Sequence, residues 1–134
     1  MKVWSLGLSL LAALSLVGCG GAAFKRPPLK LPAAESFQAG TCRDASGPIL
    51  AMGHFTYDHA SAKSLSKEDR AKLKESSDQL RKLSQPPGEP LRQQLTDVIA
   101  AAGWILLRVE PTYDPQLMRD LEVARGKFQQ TCVS

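Results

Sequence analysis

Four stretches of the chain repeat apolar residues at the three- and four-residue spacing of an α-helix. The clearest begins at Glu89-Pro90, where proline is tolerated in a first turn, and the cluster from Pro111 to Pro115 ends it. Its apolar positions fall on one side of a helix and predict packing against a core. They are Leu91, Leu95, Val98, Ile99, Ala102 and Leu106. The run from Trp104 to Leu107 is apolar on all sides, which predicts that this helix is central in the packing.

Two further helices are predicted from their start signals. Asp114-Pro115 combines a capping residue with a first-turn proline. Ser66, with Asp69 three residues later, approximates a capping box for a mostly charged helix from Lys67 to Leu83. The helix after Asp114 has one apolar face, formed by Leu117, Leu121, Ala124, Phe128 and Cys132.

The remaining helix is predicted to begin at Ser46-Gly47-Pro48 and to continue to about Ala62. A short helical piece over Glu35 to Asp44 would precede it. Proline and glycine clusters separate the segments, and no alternating β-branched strand pattern occurs. The sequence therefore predicts an all-α fold, a small up-and-down bundle of about four helices.

The first 19 residues have the organisation of an export signal. Met1-Lys2 supplies a positive start, and the 15 residues from Val3 to Val17 carry no charge. That run fits the apolar core of a signal peptide and is shorter than the roughly 20 residues of a membrane-spanning helix. The sequence that follows, Leu16-Val17-Gly18-Cys19, resembles the lipobox of bacterial lipoprotein precursors.

The lipobox resemblance implies cleavage before Cys19 and attachment of a diacylglyceryl group, with fatty acids such as palmitate, to its sulfur. No other cofactor is expected. The chain would then be held in the cell envelope, on the outer face of the cytoplasmic membrane or on the outer membrane, facing the periplasm or exterior. By resemblance to enterobacterial lipoproteins, an Asp directly after the lipidated cysteine would indicate retention at the inner membrane. Gly20 stands at that position, so both membranes stay open. The alternatives are a chance cysteine after an ordinary secretory signal and a buried N-terminal helix.

Three parts follow from this reading: a signal peptide over 1–18, a lipidated cysteine with a tether over 19–36, and a helical domain over 37–134. The tether is rich in proline, which favours an extended conformation reaching about 50 Å. Its cations Lys25, Arg26 and Lys30 either contact anionic head groups or only keep a solvated linker soluble.

Charge changes the picture of possible partners. The whole chain has a formal net charge of +4, but residues 37–134 carry 13 basic and 12 acidic side chains. A nearly neutral domain lacks the basic face that nucleic-acid binding requires, so no nucleic-acid partner is expected.

Two cysteines remain once Cys19 is assigned to the lipid. An even number in an exported domain predicts a structural disulfide, Cys42–Cys132. The alternative, a redox-active or metal-binding pair, lacks the close spacing of a Cys-x-x-Cys motif.

The densest group of chemically active side chains lies between Met52 and His59. His54 and Asp58 are four residues apart and share a helix face, which suits zinc or copper; Met52 and His59, seven apart, also align and suit copper or haem iron. The alternative places Met52 and Phe55 in the core and the two histidines at its edge.

Other candidate chemistry is sparse. Arg108 is predicted to be partly buried, either in an ion pair with Glu110 or Asp120 or as an anion-binding residue. Nucleophile-elbow, phosphate-loop and His-Glu-x-x-His motifs are absent from the sequence, so no catalytic residue is assigned and a non-enzyme is predicted.

Two functions remain open at this point. The first is a membrane-anchored binding or scaffolding module with an envelope protein, peptidoglycan or lipid as partner. Its contact surface would be the charged face from Lys67 to Lys82, or the loops at Pro86 and Tyr113. The alternative is a periplasmic metal- or haem-binding lipoprotein that uses His54, Asp58, His59 and Met52.

Overall fold

The computed structural model describes residues 26–83, 88–108 and 114–133. Neighbouring helices pack in a closed ring, each on the next and the fourth on the first, which confirms the predicted all-α bundle. The helices are α1 (Thr41–Asp58), α2 (Lys67–Arg81), α3 (Leu91–Leu107) and α4 (Pro115–Cys132), and a 3-10 turn (Ala34–Ser36) precedes them. The predicted signal peptide, Cys19 and the loop residues Pro86 and Tyr113 lie outside the described residues.

None of the helices within the described ranges combines the length and the apolar character needed to cross a bilayer.

Side-chain caps start α2 and α4 where the sequence predicts them. The hydroxyl of Ser66 accepts a hydrogen bond from the backbone N–H of Asp69 at 3.0 Å, and the carboxylate of Asp114 accepts one from the N–H of Gln116 at 2.9 Å. Each cap gives a partner to an N–H that has no acceptor within its own helix. The helix α3 begins after Pro90 without a side-chain cap, and the Glu89–Pro90 peptide bond is cis.

The bounds of α1 differ from the prediction. The helix begins at Thr41, five residues before Ser46, and it ends at Asp58 rather than near Ala62. Pro48 is therefore inside the helix, where it removes one backbone hydrogen bond. Cys42 and Ala45 are buried on the same helix as Pro48 and Ile49. Burial of this face, together with the disulfide at Cys42, outweighs the local signal to break the helix.

The core lies along the centre of the ring and receives side chains from all four helices. The prediction that α3 is central in the packing is wrong, because Trp104 is 59% exposed and Leu107 is 72% exposed. Among the described residues, α3 packs against α2 and α4, and no other helix covers its outer face. The apolar helical core residues that are at most 1% exposed are Ala45, Ile49, Met52, Leu73, Leu80, Val98, Ala102, Ile105, Leu121, Phe128 and Cys132.

The Cys42–Cys132 disulfide joins the first turn of α1 to the last turn of α4, as predicted, with the two Cα atoms 5.3 Å apart. Backbone contacts reinforce this end of the bundle. Phe37 forms an isolated antiparallel bridge with Val133, and the N–H of Gln38 donates to the carbonyl of Cys132 at 2.8 Å.

Residues 26–38, here called the N-terminal segment, lie along α1. The hydroxyl of Tyr57 donates to the carbonyl of Pro27 at 2.9 Å. The guanidinium of Arg26 sits 4.8 Å from the centre of the Tyr57 ring and donates to the Tyr57 carbonyl. Arginine over an aromatic face is an attractive cation–π arrangement. The beginning of the segment is thus fixed at the C-terminal end of α1.

The other end of the N-terminal segment is fixed at the start of α1. Arg43 donates to the carbonyls of Glu35 at 2.7 Å and Phe37 at 2.8 Å. Between the two ends, the side chain of Leu31 lies against Gly53. The described part of the predicted tether is therefore packed along the whole of α1 instead of extending as a free spacer. The proline-rich start of the segment is extended and has no helical hydrogen bonds, so the carbonyl of Pro27 is available to Tyr57.

Candidate functional site

A groove of about 500 Å³ between α1 and α2 contains most of the predicted histidine and aspartate cluster. It is called the α1/α2 groove below. The charged side chains of its walls are Asp58, Asp69, Lys72 and Glu75, and His54 and His59 also contribute. Three carboxylates against one ammonium group make the groove acidic when the histidines are neutral.

His59 is held by contacts on both ring nitrogens. Its Nε2 lies 3.1 Å from a carboxylate oxygen of Asp69, and its Nδ1 lies 2.9 Å from the carbonyl oxygen of Phe55. The imidazole also stacks on the Phe55 ring, with the ring centres 4.4 Å apart. Both facing atoms are acceptors, and only a protonated imidazole can donate to both. His59 thus links the end of α1 to the first turn of α2.

Asp69 is the acceptor in this link, and its surroundings favour the ionised form. A hydrogen bond from Ser66 is the main cause that holds the pKa of Asp69 below its ordinary value, and the hydrogen bond and charge of His59 act in the same direction. The contact is therefore an ion pair when His59 is protonated.

The structure brings the four predicted metal-binding residues to the same region, but not into one coordination site. His54 and Asp58 are exposed at the groove, while Met52 is fully buried in the core. The nitrogens of His59 already face Phe55 and Asp69. Within residues 26–83, 88–108 and 114–133, no group of three or more His, Cys, Asp or Glu side chains is placed to hold a metal ion.

A second groove, of about 540 Å³, lies between α2 and α3 and has the opposite charge. Four cations on α2 line it, namely Lys67, Arg70, Lys74 and Arg81, with Gly103, Leu106 and Leu107 on the α3 side. Because Lys67, Lys74 and Arg81 are seven residues apart, they form a stripe along one side of α2. This surface, called the basic groove below, lies within the charged face that the sequence predicts from Lys67 to Lys82.

Arg70 has a structural role inside the basic groove. Its guanidinium donates to the carbonyl of Leu106 and lies 3.5 Å from that of Ile105. These carbonyls belong to the last turn of α3, where backbone acceptors have no partner within the helix and the helix dipole is negative. Arg70 thereby ties the first turn of α2 to the end of α3.

The buried arginine of this fold is Arg125, not Arg108. Arg108 follows the last turn of α3 and is exposed, whereas Arg125 is 4% exposed. Arg125 lies on the inner face of α4 in the series Met118, Leu121, Arg125, Phe128 and Cys132. That three- and four-residue spacing is visible in the sequence and could have identified it.

Each nitrogen of the Arg125 guanidinium donates a hydrogen bond in a network between α4 and α1. Its Nε donates to the Glu122 carboxylate at 2.8 Å, and Nη1 donates to the side-chain oxygen of Gln129 at 2.6 Å. Nη2 donates to the second Glu122 oxygen, and the hydroxyl of Thr56 also donates to that carboxylate. A buried charge is tolerated when it is paired and hydrogen-bonded in this way.

No protein-family model matches the chain, and neither does any curated protein or any solved structure.

Proposed function

We propose that this chain is a lipid-anchored protein of the bacterial cell envelope whose helical bundle acts as a binding or scaffolding module. The observation that carries the proposal is the Cys42–Cys132 disulfide. Structural disulfides belong to compartments outside the cytoplasm, and the sequence ending at Cys19 resembles the signal that would export the chain and anchor it there.

The packing of the N-terminal segment limits the distance between Cys19 and the helical bundle. Arg26 is fixed at the C-terminal end of α1, so only residues 20–25 separate it from Cys19. Covalent geometry limits that distance to about 25 Å even for a fully extended chain. A lipid on Cys19 would therefore hold the bundle close to the bilayer.

The α1/α2 groove supports a binding role for the bundle. It is open, acidic and stabilised at one end by the His59–Asp69 link. Such a groove suits a partner that presents basic or amine-bearing groups, and an envelope protein or peptidoglycan can provide them.

The mass of the protein recovered from the envelope tests the anchoring. We expect the chain to begin at Cys19 and to carry acyl chains. Cys19→Ala should remain unprocessed and without lipid, while Gly18→Ala, which keeps a small residue before the cysteine, should still be processed. A wild-type chain recovered with an unmodified Cys19 would contradict the proposal.

Site-specific cross-linking in intact cells tests the binding role. A photoreactive residue at Glu75, in the α1/α2 groove, should give a discrete adduct with an envelope component. The same residue at Gln130, which is exposed on α4, is the control and should not give that adduct. Identical adducts at both positions, or none at Glu75, would count against a partner in this groove.

The metal or haem alternative stays a prediction. Titration with zinc, copper and haemin, compared between the wild-type chain and His54→Ala/His59→Ala, distinguishes it from the binding module.

A further inference from the structure

We propose that the basic groove docks on the anionic phospholipid surface of the membrane that holds the protein. This inference rests on the proposed lipid anchor and names a second contact between the bundle and the same bilayer. Its basis is the combination of a row of cations on α2, exposed apolar side chains on α3 and the position of Arg26.

The charge of the groove suits phosphate head groups. Four cations line it, and the carboxylate of Asp78 contacts two of them, Lys74 and Arg81. The local net charge is thus +4 − 1 = +3. Each cation held near an anionic membrane surface raises the ratio of docked to undocked protein by about fivefold.

One strongly exposed apolar side chain lies beside these cations, because Leu107 lines the groove and is the most exposed large apolar residue on α3. Trp104, three residues before it, is also exposed on the outer face of α3, but on the side toward α4, where Asp97 and Asp120 are its neighbours. Tryptophan is enriched where proteins meet the membrane interface, because its ring is apolar and its N–H is polar. Cations next to an exposed Leu, with an exposed Trp on the adjoining outer face, favour a lipid surface over an acidic protein as the occupant.

The path of the chain places this surface near the bilayer. Arg26 contacts Tyr57 at the C-terminal end of α1. The His59–Asp69 link joins that end to the first turn of α2, and Arg70 joins the first turn of α2 to the last turn of α3. Lys67 and Leu107 therefore lie at the same end of the bundle as Arg26, which is at most about 25 Å along the chain from Cys19.

Docking through α2 and α3 would orient the molecule. In the closed ring of helices, the α1–α4 interface is opposite the α2–α3 interface. The disulfide would face away from the bilayer.

Fluorescence of Trp104 tests the docking. With Trp4 replaced by phenylalanine, Trp104 is the single tryptophan of the chain, whether or not the signal peptide has been removed. The purified chain is reconstituted or mixed with vesicles of phosphatidylcholine alone, or with about one third phosphatidylglycerol, each carrying acyl chains brominated as quenchers. We expect quenching in the anionic vesicles only, and its loss in 0.5 M salt because exposed charges are then screened.

Two matched double variants locate the contact. Lys67→Gln/Lys74→Gln removes two cations from the basic groove, and the ratio of docked to undocked protein should fall about 25-fold at roughly fivefold per cation. Lys63→Gln/Lys127→Gln removes two exposed cations that line neither groove and should leave the quenching unchanged. Arg70 is left in place because it caps α3.

Quenching that is equal in neutral and anionic vesicles, absent from both, or equally reduced in both double variants would overturn the inference. Those results leave the anchoring test at Cys19 unaffected, since that test measures the mass of the chain. Conversely, an unlipidated chain can still show Trp104 quenching that depends on Lys67 and Lys74, which separates the two failures.

Discussion

The two sides of the bundle are built differently. Between α1 and α4, a disulfide, the Arg125 network and the N-terminal segment tie the helices together. Between α2 and α3, the polar tie is the contact of Arg70 with the end of α3, and the surface is a row of cations beside exposed apolar side chains.

The buried faces of the helices show the same contrast. Two of the four residues that α2 buries are serines, Ser76 and Ser77. Among the residues that the structure describes, the hydroxyl of Ser77 and the side-chain oxygen of Gln94 on α3 are buried without a hydrogen-bond partner. Unsatisfied buried polar atoms reduce stability, so we expect the α2–α3 side to open before the α1–α4 side. The molecule thus separates a stabilising side from a side suited to contact.

Among the changes that test this contrast, loss of the disulfide should cause the largest decrease in unfolding free energy. The double variant Cys42→Ser/Cys132→Ser is expected to lose about 4 kcal/mol of unfolding free energy, because the cross-link constrains a long loop in the unfolded chain. Urea denaturation measures the loss, and reduction of the wild-type protein should reproduce it. Unchanged stability in the double variant would show that the disulfide does not hold the α1–α4 side.

Removal of the buried Arg125 guanidinium should cause the second-largest decrease in unfolding free energy. Arg125→Met leaves Glu122 and Gln129 without their shared donor, and Glu122 keeps only the hydrogen bond from Thr56. We expect a loss of about 2 kcal/mol, less than for a fully buried ion pair, because Glu122 is 46% exposed and water can solvate it. Arg119→Met, at an exposed arginine of the same helix, should change the unfolding free energy by less than about 0.5 kcal/mol. Equal losses in the two variants would contradict the role assigned to Arg125.

Two glycines of α1 test whether the N-terminal segment is held by close packing. A Cβ at Gly53 would lie 3.0 Å from the Leu31 side chain and 3.2 Å from the Arg125 guanidinium, whereas a Cβ at Gly47 meets nothing within 4 Å. Gly53→Ala should therefore cost about 1 kcal/mol net, and Gly47→Ala should gain up to about 1 kcal/mol from reduced backbone entropy. Denaturation measures both, and trypsin cleavage after Lys30 should become faster only in Gly53→Ala. A stabilised Gly53→Ala with unchanged cleavage would mean that Leu31 moves away without cost.

The smallest expected effect concerns pH and the link from α1 to α2. The folded-state pKa of Asp69 is below the ordinary value of 3.8. Its stabilising contribution is therefore present above 3.8 and is lost as the pH falls through that value toward the lowered pKa. Asp69→Asn should be less stable than wild type at pH 6 and should show a weaker decrease in stability below pH 5. His59→Gln keeps a donor but removes the charge, so its slope should be intermediate. If the unfolding free energy depends on pH in the same way in all three proteins, Asp69 does not contribute to the loss of stability in acid.

The sequence by itself determined the fold class and most of the helix bounds. Apolar spacing predicts α3 and α4, and the caps at Ser66 and Asp114 lie where their side chains imply, because these signals act within one or two turns. The pairing of Cys42 with Cys132 was predicted from the sequence on the premise that Cys19 carries the lipid, since the two remaining cysteines allow one intramolecular disulfide.

Only the tertiary structure decided the rest, because each remaining feature depends on contacts between distant residues. Burial of the first turns of α1 carries the helix through Pro48. The packing of Leu31 on Gly53 makes residues 26–36 of the predicted tether part of the bundle. His59 of the predicted cluster links α1 to α2, because its second ring nitrogen contacts the carboxylate of Asp69 on the next helix. The basic groove needs α3 beside the lysines of α2, and the spacing within either helix does not predict that neighbour.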